Sequence, residues 1–380
     1  MEFAWTSEHQ AFRRRLRDVL KKNLPPDWPQ RSAYDPSSEY ASRFSRRFCP
    51  VLAEEGLLIP HWPKEVGGAG VDAFHHWILG EEMSAEGDPR SYQYMSVNWV
   101  GPAILHFGTQ EQIAEHVSAI AAGTEIWCQG FSEPQAGSDL PALQTKAERT
   151  QAGYRINGSK IWTSGASLAD KCFLLARTAA ERHKGISVFL LPMSTMGIEV
   201  RRIQSLVGER SVHEMFFTDV EVPESARLGE ENRGWQIVGH VLHNERIGVP
   251  RYTFSERALQ HAVGRLRKKN RWKDAVARMR AARAQAFIGA ARQNCLQVID
   301  DRVKGRPASP LTNVARASMI MADRAIAELI GDYLNDELVG AKDPLLFQAW
   351  RRTGSSGIAG GAYEIQLNHV ARDFLKLPRE

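Results

Sequence analysis

Near the start of the chain, Phe12, Leu16, Val19 and Leu20 recur at steps of three and four residues, the spacing of one helix face. Ser7-Glu8-His9-Gln10 precedes them as a capping-box pattern, and Pro25 and Pro26 stop the helix. A second helix is predicted over roughly 38–56. The turn-rich stretch IPHWPKEVGGAG (59–70) follows, then helices to about residue 122. The texture changes near Gly123. From there to about Leu228 the chain breaks into short β-type runs: KAERT (146–150), YRI (154–156), SKIWTS (159–164), KCFLLART (171–178), ISVFLLP (186–192) and VHEMFF (212–217). Asn157-Gly158 stands between two of these runs and predicts a two-residue hairpin turn. Helical patterning returns after Gly229 and lasts to the end. Segregated runs of this kind predict an α+β chain: a helical domain over 1–123, an antiparallel β domain over 124–228 and a helical, four-helix-type domain over 229–380.

Composition narrows the class. The chain has 380 residues and is 43% hydrophobic, enough for two or three cores. No apolar run reaches the length of a transmembrane helix. MEFAWTSEHQAFRRRL is charged from its second residue and has no signal-peptide core. The four cysteines, Cys49, Cys128, Cys172 and Cys295, form no CxxC pair, which argues against a disulfide framework and a structural zinc site; no metal is expected. The expectation is a reduced, cytoplasmic chain. The formal charge of +5 is mild, and much of it sits in RLRKKNRWKDAVARMRAAR (265–283). That run reads either as a solvated helix face or as an anion site for a nucleotide or cofactor diphosphate. Nucleic acid is not expected, because no DNA-reading motif or aromatic-interleaved basic sheet accompanies it.

Two stretches carry candidate chemistry. WCQGFSEPQAGSDL (127–140) reads as a strand to Phe131 and then turns through Ser132, Pro134, Gly137 and Ser138. Such a loop leaves backbone N–H groups and hydroxyls for a polar ligand or phosphate, or it is an ordinary strand exit. In NGSKIWTSG (157–165), Trp162 stands beside Thr163 and Ser164. A Trp beside two hydroxyls packs on a flat ring and bonds its edge, or it fills a sheet core. Near the C-terminus, GIAGGAYEIQ (357–366) places Gly357, Gly360 and Gly361 before one carboxylate, Glu364.

SEPQAGSD and KIWTS at this separation resemble the acyl-CoA dehydrogenase family of flavoproteins. So do HWPKEVGGAG (61–70), HKGISVFLLP (183–192), VEVPES (220–225), GEENRGW (229–235) and the tail from Tyr363, in the same order along nearly the whole chain. The resemblance implies FAD bound between the β domain and the C-terminal helices. It implies that Gln129, Gly130, Phe131, Ser132, Gly137 and Ser138 line the flavin and its phosphate side, and that Trp162, Thr163 and Ser164 pack on and bond the isoalloxazine. Gly361, Ala362 and Glu364 would face the adenosine arm. Ser138 would also reach the pantetheine of an acyl-CoA substrate. The implied reaction is α,β-dehydrogenation: a base removes the α proton and the β hydride goes to the flavin. An electron-transfer flavoprotein is the expected acceptor, and a dimer or tetramer, homomeric or heteromeric, is the expected assembly.

Many relatives carry the base four residues before the position of Glu364, and that position is Gly360 here. A subset carries it after the β domain, immediately before an arginine. HNERIGVP (243–250) matches that pattern, so the resemblance implies Glu245 as base, the Gly360 backbone N–H as donor to the thioester oxygen, and His243, Asn244 and Arg246 at the substrate. Two family stretches are missing. The Arg-x-x-Phe-Gly that reaches a neighbour's FAD diphosphate is absent from GRLRKKNRWKDAVARM (264–279). NDELVGAKDP (335–344) stands where Gln-x-x-Gly-Gly-x-Gly is expected. This pattern resembles subunits of heteromeric enzymes acting on bulky, steroid-like or branched CoA esters. A partner subunit with little flavin of its own, and a flavin oxidase or monooxygenase on the same fold, stay open as alternatives.

Overall fold

The computed structural model describes residues 5–206, 208, 211–245, 247, 250–306 and 309–378, with backbone alone at 243–245. Arg246, and the side chains of His243, Asn244 and Glu245, therefore lie outside the described residues. Helices fill the chain to Ala121, strands run between Trp127 and Leu228, and helices resume at Gly234. Helix α1 (Ser7–Asn23) is capped one residue earlier than expected. Thr6, still in extended backbone, accepts a bond from the His9 N–H at 3.2 Å. Helix α2 (Glu39–Glu54) is capped by Ser38 and helix α3 (Ala73–Ala85) by Asp72. Asp72 accepts from the His75 N–H and lies 2.7 Å from His75 Nδ1, so helix capping accounts for the grouping of His9, Asp72 and His75. The chain forms two compact units, one of Met1–Asp35, Gly70–Asp88 and Glu245–Glu380, the other of Pro36–Ala69 and Pro89–Asn244.

The second unit contains the sheet. Its strands are β1 (Trp127–Gly130), β2 (Lys146–Arg149), β3 (Gly153–Ser164), β4 (Lys171–Arg177), β5 (Ile186–Pro192), β6 (Ile198–Arg202), β7 (Val212–Pro223) and β8 (Arg227–Leu228). They lie in the order β6-β7-β3-β2-β4-β5-β8, with β1 beside β4. Most pairs are antiparallel, as the pattern predicts, but β1 and β2 each meet β4 in parallel. Inward residues of several strands, among them Tyr154, Ile156, Leu174, Phe189, Met215 and Val220, form one buried core. Helix α4 (Gly234–Glu245) follows the sheet and ends at Glu245.

Asn157-Gly158 does not make the predicted hairpin. β3 runs straight through it, and the turn to β2 is at Gln151-Ala152. The pair instead makes a register shift against β7, between Ile156 and Gly158. Asn157 donates from Nδ2 to Asp219 and accepts the Asp219 N–H, which locks the irregularity. Gly158 has φ +148° and faces Thr145 so closely that an added Cβ would lie 2.6 Å from Thr145 Oγ1. Gly158→Val is therefore expected to lower unfolding free energy by about 2–4 kcal/mol, read by urea titration.

The first unit is a helical bundle of α5 (Tyr252–Lys268), α6 (Ala275–Val303), α7 (Leu311–Tyr333) and α8 (Pro344–Ser356), followed by the short α9 (Tyr363–His369). Along α6, Ala277, Ala281, Ala284, Ile288, Ala291, Cys295 and Val298 are buried at alternating steps of four and three, a coiled-coil seam built mostly from small residues. Ala315, Met319, Ala322, Ile326 and Leu329 supply the matching seam of α7. Asn294 bonds Ser318 and Arg280 bonds Asp332, so the two helices run antiparallel. The basic run at 265–283 lies on this unit, and several of its charges are engaged within the chain. Arg265 and Lys269 both meet the buried Glu337, Lys269 and Arg271 meet Asp336, and Arg280 meets Asp332. Arg267 lies over the Trp272 ring. Asp336 and Glu337 come from the segment 335–344, and Asp332 lies just before it.

Candidate active site

The sheet unit presents the first set of predicted residues. β1 ends at Gly130, where a Cβ would lie 2.8 Å from Leu174 Cδ1, so a larger residue there would displace the Leu174 side chain on β4. Gln129 is half-buried, and its Nε2 is buried with no hydrogen-bond partner among the described residues. Phe131 is buried against Phe173. The loop then tightens: Glu133 and Ala136 exchange both backbone bonds at 3.0 Å, and Gly137 and Ser138 are exposed beyond them.

The polar residues of this loop are anchored to β3. Side chains at Tyr154, Ile156 and Lys160 share the inward parity of the strand, so Lys160 is buried among apolar neighbours. Its ammonium donates to the Phe131 carbonyl at 3.1 Å and to Glu133 Oε1 at 2.7 Å. Glu133 also accepts the Gln144 and Thr145 N–H groups and the Gln135 amide. Burial pulls the Lys160 ammonium down to about 8, against the opposing attraction of Glu133. For Glu133, burial pushes upward, but Lys160 and the Thr145 and Gln144 donors hold the carboxyl below its usual range.

Immediately after Lys160 the strand bulges. Lys160 faces Met215 but Thr163 faces His213, so β3 carries one extra residue there. The Ile161 N–H turns away from β7 and donates to the Ser132 carbonyl at 2.9 Å. The extra residue flips the parity. Trp162 points outward, 58% exposed, with φ +60°, a conformation unusual for a bulky side chain. Thr163 points inward, and its Oγ1 is buried with no partner among the described residues. Ser164, half-buried, pairs with Val212. A bulge, in place of the expected hairpin turn, presents Trp162, Thr163 and Ser164. A strained outward Trp, with the half-buried Ser164 on the same face of the strand, fits a flat heteroaromatic ring with a polar edge, whereas Thr163 Oγ1 lies on the inward face.

The helical unit presents the second set. The chain between α8 and α9 turns through Gly357–Ala362, with Gly360 at φ +68° and Gly361 at φ +96°. Both angles favour glycine. At Gly361 a Cβ would also meet the Gln366 amide at 2.2 Å. Arg316, buried on α7, donates from Nη2 to the Ser356 carbonyl at 2.7 Å and the Ala359 carbonyl at 2.6 Å. Arg324 lies 4.7 Å over the Tyr363 ring. Ala362 is the residue before α9, and Glu364 is exposed in its first turn. The structure thus brings Gln129 to Ser138 together with Trp162 to Ser164 in one unit, and Gly360 to Glu364 together in the other. Glu245 is placed only as the end of α4.

Lys160, Glu133 and Arg316 hold these segments and were not singled out in the sequence. Lys160 was findable, since period-two counting from Tyr154 and Ile156 points it inward. Arg316 had no comparable signal, because its acceptors are backbone carbonyls about forty residues away.

Comparison with known proteins bears on the whole chain. Residues 6–124 match the N-terminal domain of acyl-CoA dehydrogenase, 128–220 the middle domain and 232–375 the C-terminal domain. The chain is 32% identical over 382 residues to acyl-CoA dehydrogenase IpdE1 of Mycobacterium tuberculosis (strain ATCC 25618 / H37Rv), covering 98% of each chain. Among solved structures it is similar to the Tcur3481-Tcur3483 steroid ACAD, with TM-score 0.88, 28% identity and 100% of each chain covered. It is also similar to the ChsE4-ChsE5 complex from Mycobacterium tuberculosis, with TM-score 0.85, 25% identity and 100% of each chain covered.

Proposed function

Because the chain belongs to the acyl-CoA dehydrogenase family, and is an oxidoreductase of that kind, we propose that it binds FAD and desaturates a bulky, steroid-like or branched acyl-CoA with Glu245 as base. The observation that carries the FAD reading is the β3 bulge, which turns Trp162 outward at φ +60° with Ser164 on the same face of the strand. Trp162 would pack on the ring, Ser164, Gln129, Ser132 and the Thr163 backbone would serve its polar edge, and Ser138 would meet the pantetheine or a phosphate. Gly361, Ala362 and Glu364 serve the adenosine arm. When FAD is bound it supplies the two-electron acceptor for the β hydride.

The remaining work falls to this chain. An α C–H next to a thioester is a weak acid, so the base must be a carboxylate tuned upward by a dry pocket. Gly360 carries no carboxylate, and Glu245 stands in the Glu-Arg pair that the family's alternative base position requires. The Gly360 N–H donates to the thioester oxygen, where enolate charge develops; such a donor is worth about 3–4 kcal/mol in the transition state. His243, Asn244 and Arg246 contact the substrate. The bulky acyl class is supported by the likeness to a steroid ACAD. We assign an electron-transfer flavoprotein as acceptor and the cytoplasm as compartment.

One observation favours a heteromeric assembly. Four cations of 265–283, Arg265, Lys269, Arg271 and Arg280, are paired with Asp332, Asp336 and Glu337, so these four are poor substitutes for the missing diphosphate contacts. A second chain then supplies those contacts. A yellow, fully flavinated protein purified alone rules out a partner subunit with little flavin of its own. An oxidase instead yields peroxide in proportion to aerobic turnover.

Trp162→Gly tests the carrying observation. Glycine tolerates φ +60°, and relief of about 1–3 kcal/mol of strain offsets the added flexibility of the unfolded chain. The FAD-free variant is expected to melt at or above the wild-type temperature, while its FAD dissociation constant rises. Unchanged FAD affinity contradicts the assignment of Trp162 to the flavin.

A further inference from the structure

Between β1 and the bulge of β3, one fully buried ammonium gathers a whole loop. The side chains of Lys160 and Glu133 are 0% and 2% exposed. Lys160 Nζ reaches the Phe131 carbonyl and the Glu133 carboxylate. The next residue, Ile161, donates its N–H to the Ser132 carbonyl. Residues 131, 132 and 133 are therefore each tied to 160 or 161, one or two positions before Trp162. Glu133 carries the tie onward to the Gln144 and Thr145 N–H groups, where the loop rejoins the sheet at β2.

A core of this kind does not need an ion pair for stability. Buried pairs replaced by apolar residues of similar volume often leave a protein as stable or more so, because desolvation offsets the attraction. Directional bonds do something an apolar contact does not: they fix the loop's backbone at defined distances from the strand. We infer that Lys160, through Glu133 and the Phe131 carbonyl, is a positioning residue that sets Ser132 against Trp162 and so fixes the flavin-edge geometry. The inference rests on the FAD reading of this face.

The test compares three chains reconstituted with FAD: wild type, Glu133→Gln, and the double variant Lys160→Met with Glu133→Gln. The double variant removes both charges, so no unpaired buried ion confuses the result. It is expected to melt near the wild-type temperature in the FAD-free state. Its FAD dissociation constant is expected to rise about tenfold or more, the low end of what losing outer hydrogen-bonding partners costs a site. Its visible flavin bands are expected to shift as Ser132 and Trp162 move against the ring. A double variant with wild-type affinity and unshifted bands overturns the inference, leaving Lys160 a core residue only. Should the double variant not fold, Glu133→Gln decides. Its amide keeps one acceptor oxygen where the carboxylate serves four donors, so it cannot hold both Lys160 and the Gln144 N–H, and wild-type affinity and spectrum in that chain equally overturn the inference. A wild-type chain that takes up no FAD, either alone or with its co-purified second chain, contradicts the functional reading itself, which separates the two failures.

Discussion

Glu245→Gln is expected to lower the rate of flavin reduction by acyl-CoA about 10²–10⁴-fold, the usual range for loss of a general base, while FAD stays bound. Glutamine keeps the size and a carbonyl oxygen of the side chain but cannot take a proton. The effect should fall on kcat more than on KM, because the lost interaction is made only as the α proton departs. Glu364 gives the control. It is exposed in the first turn of α9, and Glu364→Gln is expected to leave the reduction rate within a few-fold of wild type. Rapid mixing under anaerobic conditions reads both. A wild-type rate in Glu245→Gln would move the base elsewhere.

Arg316→Met is expected to cost about 2–5 kcal/mol of stability and to disable the glycine turn. One buried guanidinium nitrogen serves the carbonyls of both Ser356 and Ala359, and a thioether replaces neither bond. Each carbonyl left without a donor costs about 1–3 kcal/mol. The chain between those carbonyls leads directly to Gly360, whose N–H is assigned to the thioester oxygen. Loosening it should lower kcat beyond what the stability loss explains at temperatures where the variant is folded. Arg316→Lys, which can reach a carbonyl with a single ammonium, should recover part of both losses. Urea titration and steady-state kinetics on the two variants check this. Wild-type kcat in a folded Arg316→Met would detach the arginine from the site.

The order of helices, sheet and helices was legible because periodicity changes from three or four to two near Gly123 and back after Gly229. Individual features were less so. Asn157-Gly158 reads as a hairpin from its own two residues, but its fate is decided by Asp219 and Thr145, which are remote in sequence. β6 (Ile198–Arg202) was missed because it lies at the sheet's edge and alternates polar residues with only two apolar ones. The charges of 265–283 read as a free basic run; their acidic partners lie at 332–337, beyond any local window. The site's residue types were legible through SEPQAGSD and KIWTS. The bulge that turns Trp162 outward was not, since nothing in KIWTS marks an extra residue. Glu245 stood out only through resemblance, because a Glu-Arg pair on a helix is by itself an ordinary surface feature.

The most direct measurement is an anaerobic titration of the FAD-loaded chain, alone and with a co-purified second chain, against straight, branched and steroid-side-chain CoA esters. The account predicts that the branched or steroid esters bleach the flavin absorbance and yield one α,β-unsaturated thioester per flavin reduced. A fully flavinated protein whose absorbance no CoA ester bleaches, in either assembly, would contradict it.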